Sequence, residues 1–340
     1  MDRDDALLAD WRSRALALEA QVNACMLGQS RAVRLVNTAV FARGHVLLQG
    51  DVGVGKTTLL RAFAQVLGGA FARTEGTVDL MPGDLVYYTY ISEQGRPAVE
   101  PGPLVRHGDD LAIFFFNEIN RARPQVHALL LRAMAERCVS AFNREFSLPH
   151  LLVFADRNRI EREETFEISA AARDRFMMEI DIDAPADDAQ RRALIFDVRF
   201  HDTERLVSAL TKGMVAHREL NAVADLVQRS IQTSDALAAY ALALWRATAE
   251  PARFGVRLAD VDTARLMLAG ASPRGMSQLL RAARVAAWLE ERGYVTPEDL
   301  QSVFAETVAH RLCYQPVYEL HRQEIGKRLM RAIVGAVAAP

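Results

Sequence analysis

The segment Gly50-Asp51-Val52-Gly53-Val54-Gly55-Lys56-Thr57 places glycines, a lysine and a hydroxyl at the spacing G-x-x-x-x-G-K-[ST]. Glycines without a Cβ let a backbone curl until successive N–H groups converge on phosphate oxygens. Lys56 has the reach to contact β- and γ-phosphates, and the Thr57 hydroxyl is a suitable ligand for Mg²⁺. The loop needs a strand before it and a helix after it, because the helix dipole adds positive potential where the phosphates sit. Both flanks fit that need. Val46-Leu47-Leu48 is a short apolar run suited to a strand buried on both faces, and Thr58 to Leu67 has the pattern of a helix stopped by Gly68-Gly69. The phosphate-binding set is therefore Gly50, Asp51, Val52, Gly53, Val54, Gly55, Lys56, Thr57 and Thr58.

A second apolar run, Leu111 to Phe116, ends in Asn117-Glu118. A carboxylate at such a strand end can take a proton from an attacking water, which is the role expected of Glu118. Asn117 stands where an aspartate usually supports Mg²⁺ and the loop hydroxyl. Its amide oxygen accepts a hydrogen bond but brings no negative charge, so weaker metal binding and slow turnover are expected, with nucleotide still bound. Thr57 and Asn117 are the expected metal-side residues.

These residues need a frame. Leu151 to Ala155 and Met177 to Ile182 are two more strand-like runs, and Pro124 opens a helix striped by Val126, Leu129, Leu130, Ala133 and Met134. Strands alternating with helices predict a parallel sheet with helices on both faces. Before it, Leu7, Leu8, Trp11, Ala15, Leu18 and Val22 share one face of an amphipathic helix over residues 6–22. Its polar face carries both signs, so packing on the domain is favoured over a membrane surface. After Pro185, Ala, Leu and Arg recur at helical spacing, and Thr296-Pro297-Glu298-Asp299 has the chemistry of a helix start. The expected divisions are 1–28 for the N-terminal helix, 29–185 for the α/β domain, and 186–340 for a linker and all-α lid.

Composition narrows the function. A net charge of -2 gives no electrostatic ground for nucleic-acid binding. The three cysteines, Cys25, Cys138 and Cys313, lack metal spacing and fit reduced thiols. The acidic start does not resemble a signal peptide, and no apolar run approaches the ~20 residues of a membrane span, so a soluble cytoplasmic protein is expected.

With these residues placed, the chain resembles the MoxR family of AAA+ ATPases, relatives of the magnesium-chelatase ATPase subunit. The resemblance runs through Gly44 to Leu48, Asp79 to Leu85, Gly102-Pro103-Leu104, Glu118 to Ala122 and Ala133 to Arg137. It continues in Ala155-Asp156-Arg157-Asn158-Arg159-Ile160-Glu161, Asp174-Arg175-Phe176 and Gly270 to Arg274. It implies ATP and Mg²⁺ as ligands, Asn158 as the sensor of the γ-phosphate and Arg175 as an arginine finger facing a neighbour's nucleotide. It also implies Arg274 as a second sensor that touches the phosphates from the helical lid. Two departures fall in the sensor loop: Arg159 replaces the family's proline, and Glu163 to Ile168 lacks its glycine and proline. The resemblance further implies an insert at about 77–102. Tyr87, Tyr88 and Tyr90 cluster there, expected first to pack the insert on its own domain and alternatively to touch substrate.

The leading expectation is a remodelling ATPase in a homo-oligomeric ring, a hexamer by resemblance. It would assist maturation of a client enzyme, such as metal or cofactor insertion, with a von Willebrand factor A domain protein as partner. The alternatives are an ATP-held structural switch with little turnover and a nucleic-acid motor.

Overall fold

A stretch free of Gly and Pro opens the chain as α1 (Arg3–Cys25), longer at both ends than its apolar spacing requires. Asp4 and Asp5 suit its positive N-terminal end. The computed structural model describes residues 3–141, 143–159 and 166–340. Leu8, Trp11, Ala15, Leu18 and Val22 are buried, whereas Leu7 falls off the stripe and is exposed.

The α/β part continues with α2 (Ser30–Phe41), β1 (His45–Gln49), α3 (Lys56–Leu67) and β2 (Ala70–Glu75). A hairpin of β3 (Tyr87–Ile91) and β4 (Pro97–Pro101) precedes β5 (Leu111–Asn117) and α4 (Pro124–Glu136). A second hairpin, β6 (Cys138–Ala141) with β7 (Arg144–Ser147), leads to β8 (Leu152–Arg157), α5 (Ala170–Arg173) and β9 (Phe176–Asp181).

Five strands form one parallel sheet in the order β2-β5-β8-β1-β9. Alternate residues serve opposite faces, as the two-residue period demands. Val46, Leu48, Ile113, Phe115 and Phe154 join the core built with α1, α2 and α3. Leu47, Phe114, Phe116, Val153 and Ala155 face the core built on α4. Four of these strands are legible as apolar runs. The fifth, β2, reads Ala-Phe-Ala-Arg-Thr-Glu and is a half-exposed edge strand without a continuous apolar signal.

The rest is helical: α6 (Asp188–Phe196), α7 (Thr203–Ser208), α8 (Leu220–Ser230), α9 (Asp235–Ala249), α10 (Pro273–Leu289), α11 (Pro297–Val308), α12 (Pro316–Glu319) and α13 (Arg322–Ala336). It is not wholly α, because β10 (Met267–Ala269) and β11 (Cys313–Tyr314) form a small antiparallel pair. The expected start of α11 is present as a capping box, with the Thr296 amide donating to Asp299 Oδ2 at 2.8 Å. The lid holds α1 through Trp288, whose Nε1 donates to Leu8 O at 3.1 Å while its ring lies 5.3 Å from that of Phe41. Packing on the domain is thus where the apolar face of α1 goes. All three cysteines are free thiols, and no described helix is long and apolar enough to cross a membrane.

In the β3–β4 hairpin, Tyr87 packs against the core on the α4 side, but Tyr88, Tyr90 and Ile91 are exposed. Packing on the domain therefore accounts for Tyr87 alone. Strand alternation sends neighbouring side chains to opposite faces, and a two-stranded ribbon has only one face to bury.

Two buried histidines give the fold an acid limit. Burial pushes His45 well below its ordinary value, reinforced by Arg137, Arg43 and Arg281. Its Nδ1 accepts from the Val153 amide at 2.9 Å, and its Nε2 lies 3.3 Å from Met134 O. Burial does the same to His310, aided by Arg311, with Nε2 3.1 Å from Phe176 O. Each is neutral in the fold and free to protonate in the unfolded chain. Their stabilising contribution is therefore whole above about pH 6.5 and is lost as pH falls below it, by about 1.4 kcal/mol per pH unit for each group. Denaturant titrations from pH 7.5 to 5 should show a shallower acid slope for His310→Gln than for the wild type. Equal slopes would refute the assignment.

Candidate functional site

The phosphate loop takes the curl expected of it. Gly53 and Gly55 adopt φ of +82° and +94°, a region that side chains rarely enter. Gly50 passes so close to the end of β9 that a Cβ there would sit 2.3 Å from Ile182 O. α3 begins at Lys56, so its first amides face the loop.

Because the sheet is parallel, the C-terminal ends of β1, β5 and β8 meet on one edge. There Asp51, Val52, Gly53, Val54, Gly55, Lys56, Thr57, Thr58, Asn117, Glu118, Asp156 and Asn158 line a cavity of about 290 Å³. Lys56 Nζ donates to Gly50 O at 2.6 Å, Asp51 O at 3.1 Å and Asn158 Oδ1 at 2.5 Å. Asn158 Nδ2 donates to Glu118 Oε1 at 3.2 Å, and Arg121 Nη1 donates to Glu118 Oε2 at 3.1 Å. One chain of polar contacts thus links Lys56, Asn158 and Glu118.

Glu118 has left-handed backbone geometry, φ 52° and ψ 51°, costly for a residue with a side chain. Its surroundings impose it. The Glu118 amide donates to Asp156 Oδ1 at 2.6 Å, and the Gly76 amide donates to Asn117 O at 2.8 Å. A Cβ on Gly76 would lie 2.2 Å from Glu118 O, so only glycine fits there.

Asp156 was not singled out from the sequence. It is 2% exposed, at the end of β8 beside Asn117. With its NH₂ turned toward that carboxylate, Asn117 donates to Asp156 Oδ1 and Oδ2 at 3.1 and 3.3 Å; the opposite orientation sets acceptor against acceptor. Burial pushes the Asp156 carboxyl up to about 6, against the downward pull of the Glu118 amide and Lys56. The available signal was an acid directly after the apolar run Leu151 to Ala155, two residues before Asn158.

The donor set fits Mg²⁺, a hard cation that prefers oxygen: the Thr57 hydroxyl, the Asn117 amide and the carboxylates of Glu118 and Asp156 all border the cavity. No cluster of three or more His, Cys, Asp or Glu suited to a metal occurs among the described residues. A magnesium ion here would therefore share its ligands with phosphate oxygens.

Among the described residues, neither Arg175 nor Arg274 lines this cavity. Phe176 pairs with His45 where β9 and β1 begin, and Asp181 pairs with Gln49 where they end. Arg175 precedes that first pair, so about 16 Å of strand separates it from the phosphate edge. Its Nη1 donates to Ala171 O at 3.1 Å. Arg274 joins it: Asp174 accepts from Arg274 Nη1 at 2.6 Å, Ser272 Oγ at 2.5 Å and Arg311 Nε at 3.2 Å. A lid arginine over the chain's own phosphates is thus not what the structure has. The Asp174 hub fastens the start of α10 to the far end of β9. Arg159, which takes the place of a proline, is anchored to Asp181 and Asp183. Ile160, Glu161 and the segment 163–165 lie outside the described residues.

Comparison with known proteins agrees with this geometry. Residues 45–178 match the ATPase family associated with various cellular activities (AAA), and residues 262–328 match an AAA lid domain. Protein MoxR of Methylorubrum extorquens is 56% identical over 99% of this chain and 98% of its own length. Protein MoxR of Paracoccus denitrificans is 53% identical over 99% of each. Chaperone MoxR1 of Mycobacterium tuberculosis is 32% identical over 94% of this chain and 81% of its own length. A crystal structure of a Cytophaga hutchinsonii protein superposes with a TM-score of 0.81 at 25% identity, covering 96% of both chains. Phosphate loop, strand-end glutamate, helical lid and this degree of likeness lead to one assignment: the chain belongs to the MoxR family of AAA+ ATPases.

Proposed function

We propose that this protein is a chaperone-like ATPase whose working form is a ring, in which each nucleotide is bound by one subunit and enclosed by the next. The observation that carries the reading is the placement of Arg175 and Arg274 at the sheet edge opposite the phosphate loop. A guanidinium contributes to phosphoryl transfer only in contact with the phosphates. From this edge both can serve only a neighbour's nucleotide, and head-to-tail repetition of such a contact closes into a ring.

Within a subunit, the amides of residues 50–58 and Lys56 hold the triphosphate, and Asn158 orients water between Lys56 and Glu118. Glu118 takes the proton from that water. Thr57 and Asn117 would hold Mg²⁺, which when bound would offset the negative charge of the triphosphate. Asn117 itself brings no charge to the metal.

The Mycobacterium tuberculosis relative bears the name of a chaperone. In the same sense, ring motion here remodels a client enzyme during its maturation, through a partner with a von Willebrand factor A domain. The exposed Tyr88 and Tyr90 are the candidate client contacts.

Mass photometry with and without Mg-ATP, run beside a hydrolysis assay at several protein concentrations, tests the ring. Nucleotide-dependent assembly, with specific activity rising as subunits associate, is the expected result. Full activity from a strictly monomeric protein would refute it.

A further inference from the structure

β5 and β8 are neighbours in register, with Phe116 beside Ala155. The next residues, Asn117 and Asp156, are still paired on their other sides, with Glu75 and Leu48, and lie side by side at the phosphate edge. One is an uncharged amide and the other a carboxylate. A carboxylate 2% exposed is costly to keep in a fold unless opposite charge meets it. The contacts of Asp156 meet that charge in part: the Glu118 amide at 2.6 Å, the Asn117 amide at 3.1 and 3.3 Å, and a buried ion pair with Lys56 Nζ at 4.0 Å, the same lysine that reaches the phosphate loop. Asp156 nonetheless lines the same cavity as Thr57. The glutamate there, Glu118, is half-buried and already engaged by Asn158 and Arg121.

We infer that Asp156 supplies the carboxylate that a magnesium–triphosphate complex needs, so that the acid missing from the end of β5 is carried one strand over, on β8. Asn117 and Asp156 act together as an amide–carboxylate pair that brings one negative charge to the metal. Their positions are interchangeable for that purpose, since both residues line the cavity that Thr57 also lines. The inference rests on the nucleotide reading above and extends it to the metal.

The experiment measures equilibrium binding of a fluorescent ATP analogue to the full chain, in Mg²⁺ and in EDTA. The ratio of the two affinities is the metal coupling. In Asp156→Asn, the new side chain still offers an oxygen to the Glu118 amide but no charge. The coupling should fall about tenfold, as removal of one close charge predicts, while metal-free affinity is kept or rises. The exchange Asn117→Asp with Asp156→Asn keeps one acid and one amide across the same two strands, so it serves even where the single variant folds poorly. It should hold the coupling within about threefold of the wild type, on the same electrostatic ground. An unchanged coupling in Asp156→Asn overturns the inference, and so does an exchanged pair that binds free nucleotide but has lost its coupling. A wild type that takes up no nucleotide in either buffer instead removes the nucleotide reading itself.

Discussion

Glu118→Gln lowers steady-state ATP hydrolysis by about 10²–10⁴-fold, the range for loss of a positioned general base, and leaves ATP affinity nearly unchanged. The reasons are local. Glutamine keeps the size of the side chain and one acceptor oxygen, enough for either Asn158 Nδ2 or Arg121 Nη1 but not both, so the pocket keeps its shape while one of the two contacts is given up. What is lost is the ability to hold a proton. The backbone is already committed, since the Asp156 carboxylate and the close approach of Gly76 hold residue 118 in its left-handed conformation. Titrating a fluorescent analogue against the variant separates binding from turnover. A variant that hydrolyses at the parental rate would show that another group activates the water.

Arg175→Ala should cost as much or more, about 10³-fold, the lower end of what an arginine finger contributes. The loss should appear only in assembled protein, because the residue lies a strand's length from its own subunit's phosphate loop. Mixing supplies the decisive comparison. In rings assembled from Arg175→Ala and Glu118→Gln subunits, some pockets combine an intact glutamate with an intact neighbouring arginine, so activity should partly return although each variant alone is dead. A mixture as inactive as its components would remove the shared pocket, and with it the ring mechanism. The Asp174 hub warns against choosing Arg274 first. That side chain also fastens α10 to the sheet, so its loss changes lid position together with any phosphate contact.

Much of this was open to inspection before any coordinates. Each interior strand of the sheet is a continuous apolar run, because it is covered on both faces, and the glycine loop carries its own geometry in Gly53 and Gly55. The edge strand β2 was not legible, since a half-exposed strand needs neither continuity nor strict alternation. Nor were the two hairpins, whose short strands bury little. Tyr87 and Tyr88 look equivalent in the sequence and part company only in the folded ribbon, one packed and the other exposed.

By itself, then, the sequence determined the phosphate loop and the strand-end glutamate, because each depends on residues within one turn or one strand of each other, and the family, because its motifs are each a short local run. The tertiary structure alone decided two matters that join distant segments. Strand order set Asp156 beside Asn117, 39 positions apart in the chain but each next to the last pair of β5 and β8, Phe116 with Ala155. Strand direction sent Arg175, and with it Arg274, to the edge away from the phosphates. Both are consequences of parallel pairing, in which the C-terminal strand ends collect the phosphate chemistry on one edge and the N-terminal ends lie opposite.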